Sequence, residues 1–145
     1  MSFTIREATP ADAPAVSGLL GELGYEISPE NAASRLRDLA ASDNDAVYLY
    51  IAAGSAIPLG VIAVHWTHIL HLPSPSARII SLVVSEKARR QHVGERLIAH
   101  AAEAARHAGC GTLELTTGLQ RDGAHAFYRA LGFAEKSRHF QRPLR

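Results

Sequence analysis

The sequence predicts one α/β domain of the α+β type, with a mostly antiparallel mixed sheet, one parallel strand pair and about four helices. Three observations lead to this fold class. Two helical segments that begin with proline come early, three strand-like apolar runs occupy the middle, and a long amphipathic segment separates two later strands. Because a strand–helix–strand crossover joins parallel neighbours, the region of residues 78–116 accounts for the parallel pair. The length of 145 residues fits a single domain over 1–145.

The first elements are a strand and two helices. "FTIREA" alternates well enough to be a strand. In the segment that follows, Thr9 can cap a helix, Pro10 suits the first helical position, and Asp12 lies in the first turn, where the helix dipole favours an acid. Ser28 and Pro29 repeat this pattern at the start of "SPENAASRLRDLAAS". We therefore expect two helices between the first and second strands.

Three consecutive strands are predicted in the middle of the chain. "DAVYLYIAA" and "PLGVIAVHW" are rich in β-branched and aromatic residues and flank a turn near Gly54 and Ser55. "ARIISLVV" is the third strand, after the loop "LPSPSA". Short connections join antiparallel neighbours, so we expect these strands to lie side by side in chain order.

The remaining elements follow from helical spacing and from glycines. "GERLIAHAAEAARHAG" is a long helix with one small and apolar face, ended by Gly109 or Gly111. "TLELTT" is a short strand, and "GAHAFYRALG" is a helix closed by Gly132. "FAEKS" and "HFQRPL" are predicted as two final strands. The predicted order is β-α-α-β-β-β-α-β-α-β-β.

Composition excludes several classes of protein. Apolar residues make up 47% and charged residues 20%, which is typical of a globular chain with a real core, and the formal charge of +1 gives no field that would recruit nucleic acid or a membrane. No apolar stretch approaches the ~20 residues of a membrane span, and "MSFTIREATP" lacks the core of a signal peptide. Cys110 is the one cysteine, interpreted as a buried, inert thiol, which favours a reducing compartment. We expect a cytoplasmic protein.

The stretch "RRQHVGERL" lies where a strand is followed by a helix. The first turn of a helix has main-chain N–H groups without intrahelical partners, and these can hold a phosphate. Arg89 and Arg90 add positive charge, and Gly94 lets a ligand approach the backbone. Taken alone, the stretch favours the simpler interpretation of a solvated helix start.

Two segments of the chain, taken together, favour a ligand-binding role for this stretch. "LVVSEKARRQHVGERLI" resembles the coenzyme-A-binding signature R/Q-x-x-G-x-G/A of the GNAT family of N-acetyltransferases. "AHAFYRALGF" is similar to the A-x-x-x-Y-x-x-x-G-F segment of the same family, and it follows in the family's order. The predicted order of strands and helices is also that of the family, so the resemblance covers nearly the whole chain.

The resemblance implies acetyl-CoA as co-substrate and no metal. It implies that the end of the fourth strand presents main-chain groups to the pantetheine arm, with one N–H polarising the thioester carbonyl, while the following loop wraps the pyrophosphate. The implied contacts are Leu82, Val83, Val84, Arg89, Arg90, Gln91, His92, Val93, Gly94 and Glu95, together with Arg121 at a place where many members carry an asparagine. Without a ligand, "SLVV" is equally well a plain buried strand.

His92 departs from the family pattern, because a glycine is usual at its position. A side chain is tolerable there if the backbone angle φ stays negative, and an imidazole can donate a hydrogen bond to phosphate. The substitution also provides a reason for weakened coenzyme binding. Glu95, within the phosphate turn, is expected to point to solvent.

The resemblance assigns Tyr128 as the general acid that protonates, or hydrogen-bonds, the leaving thiolate. The alternative is a core aromatic residue, because Ala124, Phe127 and Leu131 share its helical face. Glu114 matches a glutamate that some relatives use as base, and a plain surface carboxylate is its alternative. Arg78 occupies a place where close relatives often carry an acid, so that route to a base looks closed.

His65, His68 and His71 recur at steps of three, which suggests a metal site. Residues 65 and 68 of a strand face opposite sides, and two nearby prolines favour a loop, so rimming the acceptor site or a dimer contact is the favoured interpretation. His125 is expected to face solvent or a substrate loop.

The sequence therefore predicts an N-acetyltransferase that acetylates a primary amine of a small molecule by direct attack in a ternary complex. The alternatives are a catalytically weak coenzyme-A-binding sensor or interaction module, and a protein N-acetyltransferase. The two early helices and the loop "HILHLPSPSA" are expected to shape the acceptor site. A homodimer is possible through the last strands and the region of Trp66.

Overall fold

A computed structural model of the protein describes residues 2–116 and 122–145. The elements are β1 (Phe3–Glu7), α1 (Ala13–Glu22), α2 (Pro29–Ala40), β2 (Asp45–Ala52), β3 (Pro58–Thr67), β4 (Ser76–Val84), α3 (Val93–His107), β5 (Thr112–Leu115) and α4 (Asp122–Ala130). The strands form one sheet in the order β1-β2-β3-β4-β5, antiparallel except for the parallel pair β4–β5. The predicted fold class is confirmed.

The two final strands were predicted wrongly. Residues 133–145 form no strand, and Phe140 and Leu144 are 89% and 88% exposed. The physical reason is the composition of this tail, in which charged and polar residues outnumber apolar ones and Pro143 cannot donate a hydrogen bond to a neighbouring strand. Within the described residues, β5 is therefore the last strand of the sheet.

The sheet separates two apolar cores. On one face, Leu49, Val61 and Val83 pack against the buried side chains of α1 and α2. On the other face, Tyr50 and Ile62 pack with the buried side of α3. The sidedness follows from the alternation of side chains along each strand. It means that α1 and α2 cover one face of the sheet, while α3 and part of α4 cover the opposite face.

The helix starts follow the predicted chemistry. Ser28 Oγ accepts a hydrogen bond from the main-chain N–H of Asn31 at 3.1 Å, so the predicted cap of α2 is confirmed. Thr9 precedes a short 3-10 turn, Pro10–Asp12, that leads into α1. Hydrogen bonds from the Arg6 guanidinium lower the pKa of the Asp12 carboxyl to about 2. The carboxylate therefore stays ionised and ties β1 to the entry of α1.

Glycines end the helices as predicted. Gly109 follows α3 with φ of +86° and Gly132 follows α4 with φ of +92°, a backbone conformation that favours glycine. No helix of the described residues is long and apolar enough to cross a membrane.

Candidate active site

The parallel pairing of β4 with β5 stops before β4 ends. Ile79 pairs with Leu115, and no later residue of β4 pairs with β5 within the described part of the chain, although β4 continues to Val84. On its other side, β4 stays paired with β3 up to Val84, which lies opposite Gly60. One edge of Ile80–Val84 thus lacks a described strand partner, and main-chain groups that point there need one. This is the edge that the sequence assigned to the pantetheine arm.

A β-bulge lies next to the end of the described β4–β5 pairing. Ser81 pairs with Ala63 and Ile79 with Val64, so Ile80 has no partner in β3. Its side chain is 59% exposed. Because bulges bend a strand and increase its twist, we expect β4 to change direction at this point.

The loop after β4 leads the chain into α3. Ser85 Oγ caps a short 3-10 turn, Glu86–Ala88, and α3 begins at Val93. The His92 side chain makes no capping hydrogen bond to α3, and its Nδ1 lies 3.0 Å from Glu95 Oε2. The His92 side chain therefore does not satisfy the first main-chain N–H groups of α3. Arg89 and Arg90 are exposed beside them.

The condition under which a side chain at position 92 would be tolerable, a negative φ, is not met. His92 has φ of +62° and Arg90 has φ of +66°, so both lie in the left-handed region. There the Cβ crowds the carbonyl oxygen, which costs about 1–2 kcal/mol per residue. A glycine at this position, as in the family pattern, would avoid this crowding and would also leave space for a ligand.

Replacing His92 by glycine is expected to raise the free energy of unfolding by about 1 kcal/mol, because it relieves this conformation. The lost contact with Glu95 contributes little, since both side chains are at least half exposed. Urea unfolding measures the change. His92→Ala is the matched variant, since it removes the imidazole and keeps Cβ. Equal stability of the alanine and glycine variants would contradict the explanation.

Three elements meet around Gly94. A Cβ added to Gly94 would lie 3.6 Å from Phe127 Cζ and 3.6 Å from Val84 Cγ2, which is ordinary contact. The end of β4, the first turn of α3 and α4 therefore converge here. Because the protein's own atoms leave room for a methyl group, packing does not require this glycine, and close approach of a ligand remains the reason that the sequence suggested.

Tyr128 lies on α4 close to this convergence. Its half-buried ring packs edge-on against Phe127 at 5.3 Å and Phe133 at 5.9 Å between ring centroids, and it contacts the core on the α3 face. Tyr128 also has a further interaction in the structure. The aromatic neighbours fix the ring, so a hydroxyl at its end has a defined position.

Glu114 lies directly opposite Arg78, on β5 and β4 respectively. Arg78 Nη1 is 3.6 Å from Glu114 Oε1, and Arg78 Nη2 donates a hydrogen bond to Thr116 Oγ1. The Glu114 side chain is 58% exposed. Glu114, considered above as a base, and Arg78, which stands where relatives often carry an acid, therefore form an ion pair one position before the last described pair of β4 and β5.

A second polar pair was not foreseen from the sequence. His65 Nδ1 lies 2.9 Å from Asp45 Oδ1, between the neighbouring strands β3 and β2. His65 also lies directly opposite Arg78 on β4. The pairing register of the strands links these residues. Deducing that register from the sequence would require the exact position of the turn between β2 and β3.

The predicted site residues are thus partly brought together. Val83 and Val93 are buried, and Leu82, Val84, Gln91 and Gly94 are half-buried. The exposed members of the predicted set are Arg89, Arg90, His92 and Glu95. Arg121 lies outside the described residues. Among the described residues no cluster of three histidine, cysteine or acidic side chains is placed to hold a metal ion. Cys110 is half-buried, and burial raises the pKa of its thiol.

Comparison with known proteins points in the same direction. Residues 15–133 match the sequence pattern described as the acetyltransferase (GNAT) family. The aminoalkylphosphonate N-acetyltransferase of Salmonella typhimurium is 31% identical, over 97% of this chain and 90% of that protein. The aminoglycoside N(6')-acetyltransferase type 1 of Serratia marcescens is 29% identical, over 77% of each chain. The structure of the aminoglycoside N-acetyltransferase AAC(6')-Iy in complex with CoA shares the fold, with a TM-score of 0.85 at 20% identity over 99% of this chain and 95% of that one.

Proposed function

The chain belongs to the GNAT acetyltransferase family and is an acetyl-CoA-dependent N-acetyltransferase, and from this premise we propose that it acetylates a primary amine of a small molecule by direct attack in a ternary complex. The relatives named for aminoalkylphosphonates and aminoglycosides, both classes of small amine, support this acceptor class. The observation that carries the proposal is that, within the described residues, the pairing of β4 with β5 ends at Ile79, whereas β4 continues to Val84 beside the first turn of α3.

The residues present fit acetyl-CoA. The open edge of β4 at Leu82, Val83 and Val84 would hydrogen-bond the pantetheine arm, which has amide groups of its own. Main-chain N–H groups from Arg90 to Glu95 would hold the pyrophosphate at the positive end of the α3 dipole. Arg89 and Arg121 would supply charge near the coenzyme. The thioester provides the acetyl group, and the residues of this chain bind, orient and move protons around it.

In the proposed reaction an amine nitrogen attacks the thioester carbonyl carbon, forming the C–N bond as the C–S bond breaks. A main-chain N–H at the end of β4 stabilises the negative charge that develops on the carbonyl oxygen. Tyr128 donates its hydroxyl proton to the leaving sulfur, giving free coenzyme A. A phenol is neutral near pH 7 and can therefore act as this donor. No residue becomes acetylated.

The attacking amine must first lose a proton, since an alkylammonium has a pKa of roughly 10. Glu114 has two candidate roles in this step, as the base or as the counter-ion of Arg78. Its position beside the end of the β4–β5 pairing supports a place near the acceptor amine. Its ion pair with Arg78 supports the counter-ion role.

Replacing Gly94 by alanine is expected to weaken CoA binding at least tenfold, which is about 1.4 kcal/mol, while the fold is kept. The added methyl group meets only ordinary contacts within the protein, but it occupies space that the ligand needs. Stability should stay equal or rise by up to about 1 kcal/mol, because alanine is the better helix former. Calorimetric titration and thermal unfolding measure the two effects.

Gly18→Ala is the matched control for this variant. Gly18 lies inside α1, and an added Cβ would have no atom within 4 Å. It should stabilise the protein without changing CoA affinity. Equal CoA affinity of the Gly94→Ala variant and the wild type would show that the coenzyme does not approach this turn.

The proposed function is tested by thiol release from acetyl-CoA with a panel of amines that includes an aminoalkylphosphonate, an aminoglycoside and a lysine peptide. We expect turnover with a small amine and intersecting lines in initial-rate plots, because both substrates bind before reaction. Parallel lines would indicate a covalent enzyme intermediate and contradict direct transfer. Acetylation of the peptide alone would identify a protein N-acetyltransferase, and CoA binding without turnover on any amine would identify a sensor module.

A further inference from the structure

We infer that His65, held by Asp45, is the group that removes the proton from the acceptor amine, and that Glu114 acts as the counter-ion of Arg78. The inference rests on the proposed function and assigns a catalytic residue to it. It starts from a pair of hydrogen-bonded side chains on β2 and β3 that the coenzyme site does not use.

Asp45 holds His65 in one orientation. The carboxylate oxygen Oδ1 of Asp45 lies 2.9 Å from Nδ1 of His65, and its Oδ2 accepts a hydrogen bond from Ser42 Oγ at 2.6 Å. A carboxylate only accepts hydrogen bonds, so Nδ1 of His65 carries the hydrogen in this pair. In neutral imidazole the lone pair then lies on Nε2. Within the described residues no hydrogen bond to Nε2 is present, and the His65 side chain is 40% exposed.

The strand register places this pair in one row with Arg78 and Glu114, one position before the last described pair of β4 and β5. Asp45 pairs with His65, His65 with Arg78, and Arg78 with Glu114, so one row of ionisable residues crosses four strands. Directly paired residues project to the same face of a sheet, and neighbouring strands lie roughly 5 Å apart. His65 is therefore about one strand from Arg78 and two from Glu114, on the face of the sheet that also carries α1 and α2.

Glu114 is less suited to removing the proton. Its carboxylate is paired with Arg78, whose guanidinium also donates to Thr116. To take up a proton, Glu114 would have to give up its pairing with Arg78, whereas Nε2 of His65 carries a lone pair that no described hydrogen bond uses. The charged groups around His65 are Asp45 on β2, Arg78 on β4 with Glu114 beyond it, and Glu7, which lines a small cavity with Asp45.

The proton balance of the step is complete. An N–H bond of the ammonium breaks, its electron pair stays on nitrogen, and the proton binds Nε2 of His65, which later releases it to water. The nitrogen then bonds to the acetyl carbon, and Tyr128 protonates the departing sulfur. The second proton that nitrogen loses as the amide forms returns through water to the Tyr128 oxygen. The net products are the amide, free coenzyme A and one proton.

The test compares His65→Gln, Asp45→Asn and Glu114→Gln with the wild type, using the amine that gives the highest turnover. His65→Gln should lower kcat at least 100-fold, leave the KM for acetyl-CoA unchanged, and remove the low-pH limb of the kcat profile. Added imidazole should restore part of the lost activity. Asp45→Asn should lower kcat by a smaller factor, and Glu114→Gln by less than tenfold. His107→Gln, an exposed histidine near the end of α3, is the matched control and should behave as the wild type.

Two results would overturn the inference while leaving the proposed function intact. They are a His65→Gln variant within threefold of wild-type kcat, and a Glu114→Gln variant that loses more activity than His65→Gln. A His65→Gln variant that loses activity without a changed pH profile or rescue by imidazole would assign His65 a structural role and also overturn it. Thermal unfolding and CoA titration show whether each variant is folded. Absence of thiol release by the wild type would overturn the proposed function and the inference together.

Discussion

Replacing Tyr128 by phenylalanine is expected to lower kcat by about 10²–10⁴-fold and to leave CoA affinity nearly unchanged. Phenylalanine keeps the ring that packs between Phe127 and Phe133, so only the hydroxyl is lost. Without that hydroxyl the coenzyme leaves as an unprotonated thiolate, which raises the barrier for breaking the C–S bond. In the proposed binding mode CoA is held by main-chain groups of β4 and of the loop before α3, which the substitution leaves unchanged. Steady-state kinetics with saturating amine, together with calorimetric titration of CoA, separates the two effects.

Tyr48→Phe is the control for this experiment. Tyr48 is 8% exposed on β2 and packs edge-on against His100, away from α4. Its replacement should leave kcat within about twofold of the wild type. If Tyr128→Phe also turns over near the wild-type rate, Tyr128 is a packing residue and another group, or water, protonates the sulfur.

Replacing Gly60 by alanine should destabilise the protein by about 1–3 kcal/mol. A Cβ at this position would lie 2.9 Å from both Leu97 Cδ1 and Val93 Cγ1, and 3.2 Å from the carbonyl oxygen of Val83. Leu97 and Val93 are 0% and 1% exposed, so neither side chain can move into solvent. The helix α3 must shift away from β3, and its first turn carries the proposed pyrophosphate site. For a chain of 145 residues, the melting temperature should fall by roughly 3–10 °C, and CoA affinity should fall with it.

The contact itself can be tested with a double-mutant cycle. Leu97→Val removes one of the two side-chain atoms that the new methyl group would strike, so it should cost less stability in the Gly60→Ala background than in the wild type. Additive effects of the two substitutions, or a Gly60→Ala variant as stable as the wild type, would show that α3 does not pack closely against Gly60.

Much of the fold could be predicted from local signals. Proline and capping residues located the starts of α1 and α2, and Gly109 and Gly132 marked the ends of α3 and α4. Alternation and apolar runs located the five strands of the sheet. These signals are local because helix ends and strand faces depend on residues close in sequence.

The errors arose where tertiary structure decides the outcome. "FAEKS" and "HFQRPL" have short alternating patterns, but whether they join a sheet depends on what they can bury, and these segments carry little apolar surface. The positive φ of His92 is set by the path of the loop from β4 to α3, and no propensity reveals it. The need for glycine at position 60 comes from side chains of α3 that lie more than thirty residues away.

The residues of the candidate site likewise differ in whether the sequence could predict them. Tyr128 and the loop around Gly94 lie in contiguous motifs, so the sequence could name them. Asp45, His65 and Arg78 come from three strands and meet only through register, which a one-residue slip would abolish. Ion pairs and hydrogen bonds across strands are therefore the part of the site that the sequence could not supply.

The central claim is that the free edge of β4 and the first turn of α3 hold coenzyme A through main-chain N–H groups. It is tested most directly by titrating CoA into the ¹⁵N-labelled protein and following the amide resonances by NMR. The account predicts saturable shifts that are largest for residues 82–84 and 90–95, with a Kd on the order of 1 μM to 1 mM. Shifts confined to other parts of the sheet, or an unchanged spectrum at millimolar CoA, would contradict it.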